Sequence, residues 1–358
     1  MATIAEYLQT AQREKASDIY FSVGTTPFLK VNGAIKPLLE QGNLTKSKID
    51  GLAREVLSPS KWSEFKSHGE LITTCTIRDK GRLRIVFSNE RKGPFMACHL
   101  IPSNVPEFES LGLPHHLLKM VSFGSGLILI IGPAKSGKTT TLESLIQHIN
   151  ETSEKSVATI EMPLEYKHST GKSLIERFQP LNTVSWFDLK TMGSFLKTVD
   201  VMVIDGLPLE ETISPALSSA AEGLLVLVSL ETNGGIAEIL ARIIQTASSK
   251  EREYRRMLLA RVLKCAVWQH LLPAKNSSQR IPLFEFLLND PVTSSLIGQK
   301  GKLHLLRPTM AAGRGSGMQT MHQAIEILKP QYVVQPEVLD AFEHELLHYY
   351  VSPLKANF

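Results

Sequence analysis

The sequence predicts an α/β protein, a helix-wrapped parallel sheet carrying a phosphate-binding loop, preceded by a smaller mixed α+β domain. Aliphatic runs at Leu127–Ile131, Val157–Ile160, Val201–Ile204 and Leu224–Leu230 alternate with helical patterns, and buried strands between helices are what a parallel sheet requires. The first run leads into Gly132-Pro133-Ala134-Lys135-Ser136-Gly137-Lys138-Thr139, which fits G-x-x-x-x-G-K-[ST] in the strand, loop, helix order that the motif needs. Upstream, Pro102, Pro106 and Pro114 interrupt Ile101–Pro114 and mark an interdomain linker. The expected division is 1–100, a linker at 101–114, and 115–358.

In chain order, the N-terminal part offers short β-type runs at Ile19–Val23, Phe28–Val31 and Arg82–Phe87, punctuated by Gly24, Pro27 and Gly33. Between them Ile49, Leu52, Ala53 and Val56 fall at helical spacing within Thr45–Leu57. After the phosphate loop, Leu142, Leu145, Ile146 and Ile149 form one helical face. From Glu251 to Gln269 the positions Tyr254, Met257, Leu258, Val262 and Leu263 predict a further helix. Near the end, Val338, Leu339, Phe342 and Leu346 make an apolar stripe beside Glu337, Asp340, Glu343 and Glu345. That acidic face is wrong for anionic lipid, so packing on the second domain is expected, with docking on a partner as the alternative.

Composition narrows the function classes. The chain has 358 residues, 43% hydrophobic and 21% charged, enough for about two globular domains. Thirty-nine Lys and Arg against 35 Asp and Glu leave +4 without a block of like charge, which gives no support to a dedicated nucleic-acid binder. No apolar run is long enough to span a bilayer, and the N-terminus lacks a basic segment followed by an apolar one. Cys75, Cys98 and Cys265 are scattered and propose neither disulfides nor zinc. His115-His116 has no companion ligands nearby. A cytoplasmic protein is expected.

The phosphate loop carries the chemistry. Its backbone N–H groups, at Gly132, Pro133, Ala134, Lys135, Ser136, Gly137, Lys138, Thr139 and Thr140 where the residue has one, would wrap phosphates at the positive end of a helix. Lys138 would reach the β and γ phosphates of ATP and Thr139 would ligate Mg²⁺, whereas Lys135 reads as a solvated side chain. A RecA-type site also needs an acidic strand end for the magnesium shell and a carboxylate to orient water. Asp205, after Val201–Ile204, suits the first role, with Gly206 where a catalytic glutamate often stands. Glu161, after Val157–Ile160, is the other catalytic candidate, or a capping or surface carboxylate.

The chain resembles the secretion ATPases, and within them the type IV pilus retraction (twitching motility) ATPases. The resemblance rests on Ala16-Ser17-Asp18-Ile19 with Val23-Gly24, Pro27 and Val31-Asn32-Gly33, on Gly81-Arg82-Leu83-Arg84, on Ile101-Pro102-Ser103 with Leu111-Gly112-Leu113-Pro114, and on Gly315-Ser316-Gly317-Met318-Gln319-Thr320, the most specific of these. It implies a PAS-like N-terminal domain before a RecA-like motor domain. It also implies a hexameric ring, nucleotide between the two domains, and arginines reaching a neighbour's phosphates, with Arg82 and Arg84 as candidates. The family's catalytic boxes are altered. Thr159-Ile160-Glu161-Met162-Pro163-Leu164-Glu165 replaces an aspartate by Met162. Asp205-Gly206-Leu207-Pro208-Leu209 lacks the glutamate and arginine of G-E-M-R-D, and Glu231 stands at the histidine of G-T-L-H-T. Trp186–Thr198 holds no arginine, and His99 replaces the arginine before the linker.

An anion at 231, about 5 Å from a phosphate, would meet roughly 3 kcal/mol of repulsion per charge at an effective dielectric of 20. It is therefore disfavoured as a γ-phosphate ligand, though Mg²⁺ and Lys138 can offset the repulsion. The expectation is an ATP-binding, hydrolysis-impaired relative that regulates or assists a pilus motor, as a homo-oligomer or in a mixed ring with a related motor ATPase at the pilus inner-membrane platform. Nucleic-acid binding and membrane insertion are not expected. The alternative is an active hexameric ATPase powering retraction, with Asp205 substituting for the glutamate lost at Gly206.

Overall fold

The computed structural model describes residues 2–31, 33–78, 80–102, 104–180, 198–275 and 279–351. Asn32, Ser103 and the arginine-free stretch at 186–197 lie outside the described residues. Contacts divide the chain into Met1–Asn104 with Pro163–Lys167, and Val105–Met162 with His168–Phe358.

The first unit is built on strands β1 (Asp18–Ser22), β2 (Phe28–Val31), β3 (Ala34–Pro37), β4 (Glu70–Ile77), β5 (Gly81–Glu90) and β6 (Gly93–Ile101). They pair antiparallel in the order β3-β2-β1-β6-β5-β4. Helices Ile4–Arg13, Lys46–Val56 and Pro59–His68 complete the unit. Each start has a local cause. Thr3 and Glu6 form a capping box, and Thr45 and Ser58 accept from backbone N–H groups three residues on. Along β5, Leu83, Ile85 and Phe87 are fully buried, which turns Arg82 and Arg84 to the opposite face.

The second unit carries β7 (Gly126–Gly132), β8 (Ser156–Glu161), β9 (Leu174–Phe178), β10 (Val201–Asp205), β11 (Leu225–Glu231), β12 (Leu263–Pro273) and β13 (Arg280–Leu288) in the order β13-β12-β7-β11-β10-β8-β9. All neighbours are parallel except β12 and β13. One face holds Ile128, Ile130, Val203 and Leu227 with Leu142, Leu145 and Ile149 of helix Lys138–Thr152. The other holds Ile204, Val228 and Trp268 under helices Leu209–Ala221 and Ile236–Gln245. Leu339, Phe342 and Leu346 of helix Pro336–Val351 join that second core. Phe108 and Leu113, from the proline-rich stretch, are buried in the first.

The helix expected over Glu251–Gln269 is corrected: it spans Arg252–Val262, and β12 begins at Leu263. Tyr254 and Met257, taken as its apolar face, are exposed, while Leu259, Ala260 and Val262 are buried. Cys265-Ala266-Val267-Trp268 is buried on both faces, and such a run carries no period that separates a strand from a helix.

Candidate functional site

The fully buried strand β7 delivers the phosphate loop to the carboxyl ends of the parallel strands, and helix Lys138–Thr152 starts from Gly137. Gly137 has φ +89°, and a Cβ there would lie 2.9 Å from Gln269 Nε2. A Cβ on Gly132 would lie 2.3 Å from the Gln269 carbonyl oxygen. Both motif glycines therefore answer to close approach by β12 as well as to the turn. Lys138 Nζ donates to the carbonyls of Gly132 (3.0 Å) and Pro133 (2.7 Å). Burial pulls its pKa down, and the charges of Glu231 and Asp205 oppose that shift. Lys135 is exposed, and its carbonyl accepts from Arg280 (3.0 Å). Ser136 Oγ is buried without a protein hydrogen-bond partner among the described residues.

Asp205 closes β10 and is buried. It accepts from the hydroxyls of Ser229 and Thr139. Burial raises its pKa and these two bonds lower it. The loop threonine and the strand-end aspartate, expected to meet at the metal, are in contact.

Glu161 closes β8 directly opposite Asp205 in register. Its carboxylate faces Arg177 of β9, whose Nε and Nη2 donate at 3.0 and 2.5 Å. The same Nη2 donates to Glu143 on the phosphate-loop helix at 2.7 Å, and Glu143 meets His168 Nε2 at 2.6 Å. Both glutamate side chains are 2% exposed. Burial pushes Glu161 up to about 7, reinforced by Glu143 and opposed by Arg177. Glu143 is likewise raised, first by burial. His168 is pushed down to about 4 by burial and then by Arg177. Sequence reading found Glu161 and missed Arg177, Glu143 and His168. The one available signal was Glu143, an acid beside Leu142 on the buried side of an amphipathic helix.

The positions at which the resemblance implies other residues have definite geometry. Gly206 adopts φ +76°, and a Cβ there would sit 2.2 Å from the Met162 carbonyl oxygen. The Met162 N–H in turn donates to the Asp205 carbonyl (3.1 Å). Glu231, the exposed last residue of β11, pairs in register with Gly132. In the first unit, Arg84 Nη1 is 2.5 Å from Glu165 Oε1, and Arg82 Nη2 donates to Thr74 Oγ1 and the Leu164 carbonyl, both at 2.9 Å. His99 Nδ1 lies 3.0 Å from Asp18 Oδ1.

The Gly317-Met318-Gln319-Thr320 segment is a joint in the second unit. Gly317, φ +94°, leaves room for the His116 ring, which a Cβ would approach to 2.5 Å. Gln319 exchanges backbone hydrogen bonds with Phe286 (2.7 and 3.0 Å), and Thr320 caps helix Met321–Leu328. Next to them the buried Glu285 accepts from the backbone N–H of Ile236 (3.3 Å) and of Met321 (3.4 Å), at the starts of two helices. His116 also packs 6.4 Å from the Phe286 ring, and among the described residues no three His, Cys, Asp or Glu gather to hold a metal. No helix among them is long and apolar enough to cross a membrane.

A family model described as Type II/IV secretion system protein matches residues 100–341. The chain is 30% identical to the type IV pilus ATPase PilU of Pseudomonas aeruginosa, over 92% of this chain and 85% of that protein. It is 28% identical to a twitching motility protein of Neisseria gonorrhoeae, over 94% and 89%. The solved pilus retraction motor PilT with bound ADP is similar at a TM-score of 0.81 and 28% identity, covering 95% of this chain and 96% of that one.

Proposed function

The chain belongs to the type II/IV secretion system protein family, as a relative of the type IV pilus retraction ATPases, and from that premise we propose that it binds ATP, hydrolyses it poorly, and regulates or assists a pilus motor. The observation that carries this reading is the contrast between a complete phosphate loop and a strand end whose glutamate, Glu161, is forked by Arg177 beside a Gly206 whose backbone leaves no room for a side chain. The ADP in the related PilT structure supports nucleotide binding, as does the orphaned Ser136 hydroxyl in the loop. Thr139 and Asp205 form an all-oxygen donor pair that suits Mg²⁺. Mg²⁺ held there would neutralise charge on the β and γ phosphates, while Lys138 and the loop N–H groups orient them.

Assembly is proposed to be a six-membered ring of this chain or a mixed ring with a related motor, in the cytoplasm at the pilus inner-membrane platform. Arg82 and Arg84 are the residues that would turn toward a neighbour's phosphates after exchanging their bonds to Thr74, Leu164 and Glu165. A second reading, a working retraction motor, draws on one observation: a glutamate pushed up to about 7 has the proton affinity of a general base at neutral pH.

Calorimetry with ADP and ATP, together with steady-state turnover, tests both readings. Wild type is expected to bind, the Lys138→Ala variant to bind at least about tenfold more weakly through loss of charge-assisted hydrogen bonds, and turnover to stay well below about 1 s⁻¹. Turnover at or above that rate, abolished by Glu161→Gln, establishes the motor instead.

A further inference from the structure

We infer that Gln269 is a positioning residue for the phosphate loop, a clamp held by the sheet that keeps the loop's amides aimed at the phosphates; this rests on the nucleotide-binding reading above. Gln269 lies on β12, the strand paired with β7, one residue beyond the Trp268–Ile131 register pair. Its side chain is buried, and both its nitrogen and its oxygen are hydrogen-bonded. Nε2 donates to the Ser136 carbonyl at 2.8 Å, and Oε1 accepts from Thr141 Oγ1 at 2.8 Å. The Ser136 carbonyl only accepts, so it fixes which way the amide points. One arm grips the loop two residues before Lys138 and the other grips the helix three residues after it.

The placement matters because the loop's natural hydrogen-bonding alternatives are poor. A peptide carbonyl turned toward the bound phosphates would set two negative ends against each other, and holding the Ser136 carbonyl away on Gln269 leaves the flanking N–H groups for the ligand. The amide belongs to a buried strand, so its position costs no ordering when ligand arrives. Gly132 and Gly137 are shaped to it, since side chains there would strike the Gln269 carbonyl and amide. Arg280, at the start of β13, holds the adjacent Lys135 carbonyl at 3.0 Å from the solvent side. The loop is thus supported by both strands at that end of the sheet.

The two arms can be cut separately in the full-length protein. Gln269→Glu keeps the acceptor for Thr141 and removes the donor to Ser136, while Thr141→Val does the reverse. We expect the Gln269→Glu variant to bind ADP about tenfold or more weakly, the fold-change for losing one buried hydrogen bond in the aligned loop, and the Thr141→Val variant to stay within about threefold of wild type. Gln269→Glu also buries a carboxylate opposite the Ser136 carbonyl, so its nucleotide-free melting temperature should fall below that of Thr141→Val, and the uncharged Gln269→Leu variant separates loss of the donor from added charge. Gln269→Leu should follow Gln269→Glu in affinity. The inference is overturned if Gln269→Glu binds ADP within twofold of wild type, or if Thr141→Val loses as much affinity as it does. Should wild type and Lys138→Ala bind ADP equally, the nucleotide reading itself falls and takes the clamp with it. Should Lys138→Ala weaken binding while Gln269→Glu does not, the clamp alone is wrong.

Discussion

The phosphate loop and the strand-end carboxylates occupy the same end of one sheet, but they are made of different materials. The loop is mostly backbone, its carbonyls taken up by Lys138, Gln269 and Arg280. The carboxylate half is mostly side chain, with Glu143, Glu161 and His168 gathered about Arg177. Backbone geometry survives sequence change as long as its glycines and flanking elements remain, whereas a side-chain constellation is lost one residue at a time. On the proposed reading, that difference would let a chain keep a whole binding loop while Met162, Gly206 and Glu231 stand where the resemblance implies other residues.

The largest effect should come from Arg177→Ala. It strands two buried carboxylates, and breaking a buried ion pair from one side costs about 3–5 kcal/mol, readable by denaturant unfolding. A loss under about 1 kcal/mol would mean that the acidic half is as adaptable as the loop.

Next comes pH. With Glu161 raised to about 7 from an unfolded value near 4.3, its stabilising contribution is complete below the unfolded value and is lost as pH rises through about 7. Glu161→Gln removes that dependence. Measured between pH 5 and 8, stability of the variant relative to wild type should increase with pH, by at most about 3 kcal/mol. A gap that stays constant across this range would place the ionisation of Glu161 elsewhere.

Gly206 gives a smaller and sharper test. An alanine at φ +76° pays roughly 1–2 kcal/mol for the left-handed backbone, with the overlap on Met162 added to it. Gly206→Glu alone should therefore lower the melting temperature without raising ATP turnover. A stable Gly206→Glu variant with restored hydrolysis would erase the distinction between the two halves.

The smallest effect is expected at Glu231. Glu231→Gln removes an exposed anion that acts on Lys138 and should tighten ATP binding by up to about fivefold at low salt, fading as screening increases. Unchanged affinity at low salt would separate Glu231 from the loop.

Much of this was legible in the sequence where the signal is local. Phe28–Val31 and the aliphatic cores of β7, β8, β10 and β11 stand within a residue of where their runs predict, because a strand buried on both faces declares itself as a short aliphatic block between turn residues. The phosphate loop is contiguous, so spacing alone defines it. The same logic fails for β12, whose apolar run continues directly from a helix without a breaker. Arg177 and His168 were out of reach for a different reason. Arg177 lies 34 positions from Glu143 and 16 from Glu161, and only the parallel pairing of β8 with β9 brings its side chain to them. Gln269 was hidden likewise, 133 positions from Ser136.

The contact between Gly206 and Met162 has a historical side. A position held in the left-handed region, with a main-chain oxygen where a side chain would begin, works as a ratchet. A single codon change at 206 produces a strained protein before it produces a useful carboxylate, so selection for faster hydrolysis meets a valley there. Revertants chosen for motor activity should therefore carry paired changes, one in the loop around Met162 and one at Gly206, or should bypass the position and recruit an acid from another strand end. On the reading proposed above, the order in which such pairs arise would record the route between a non-hydrolysing and a hydrolysing site.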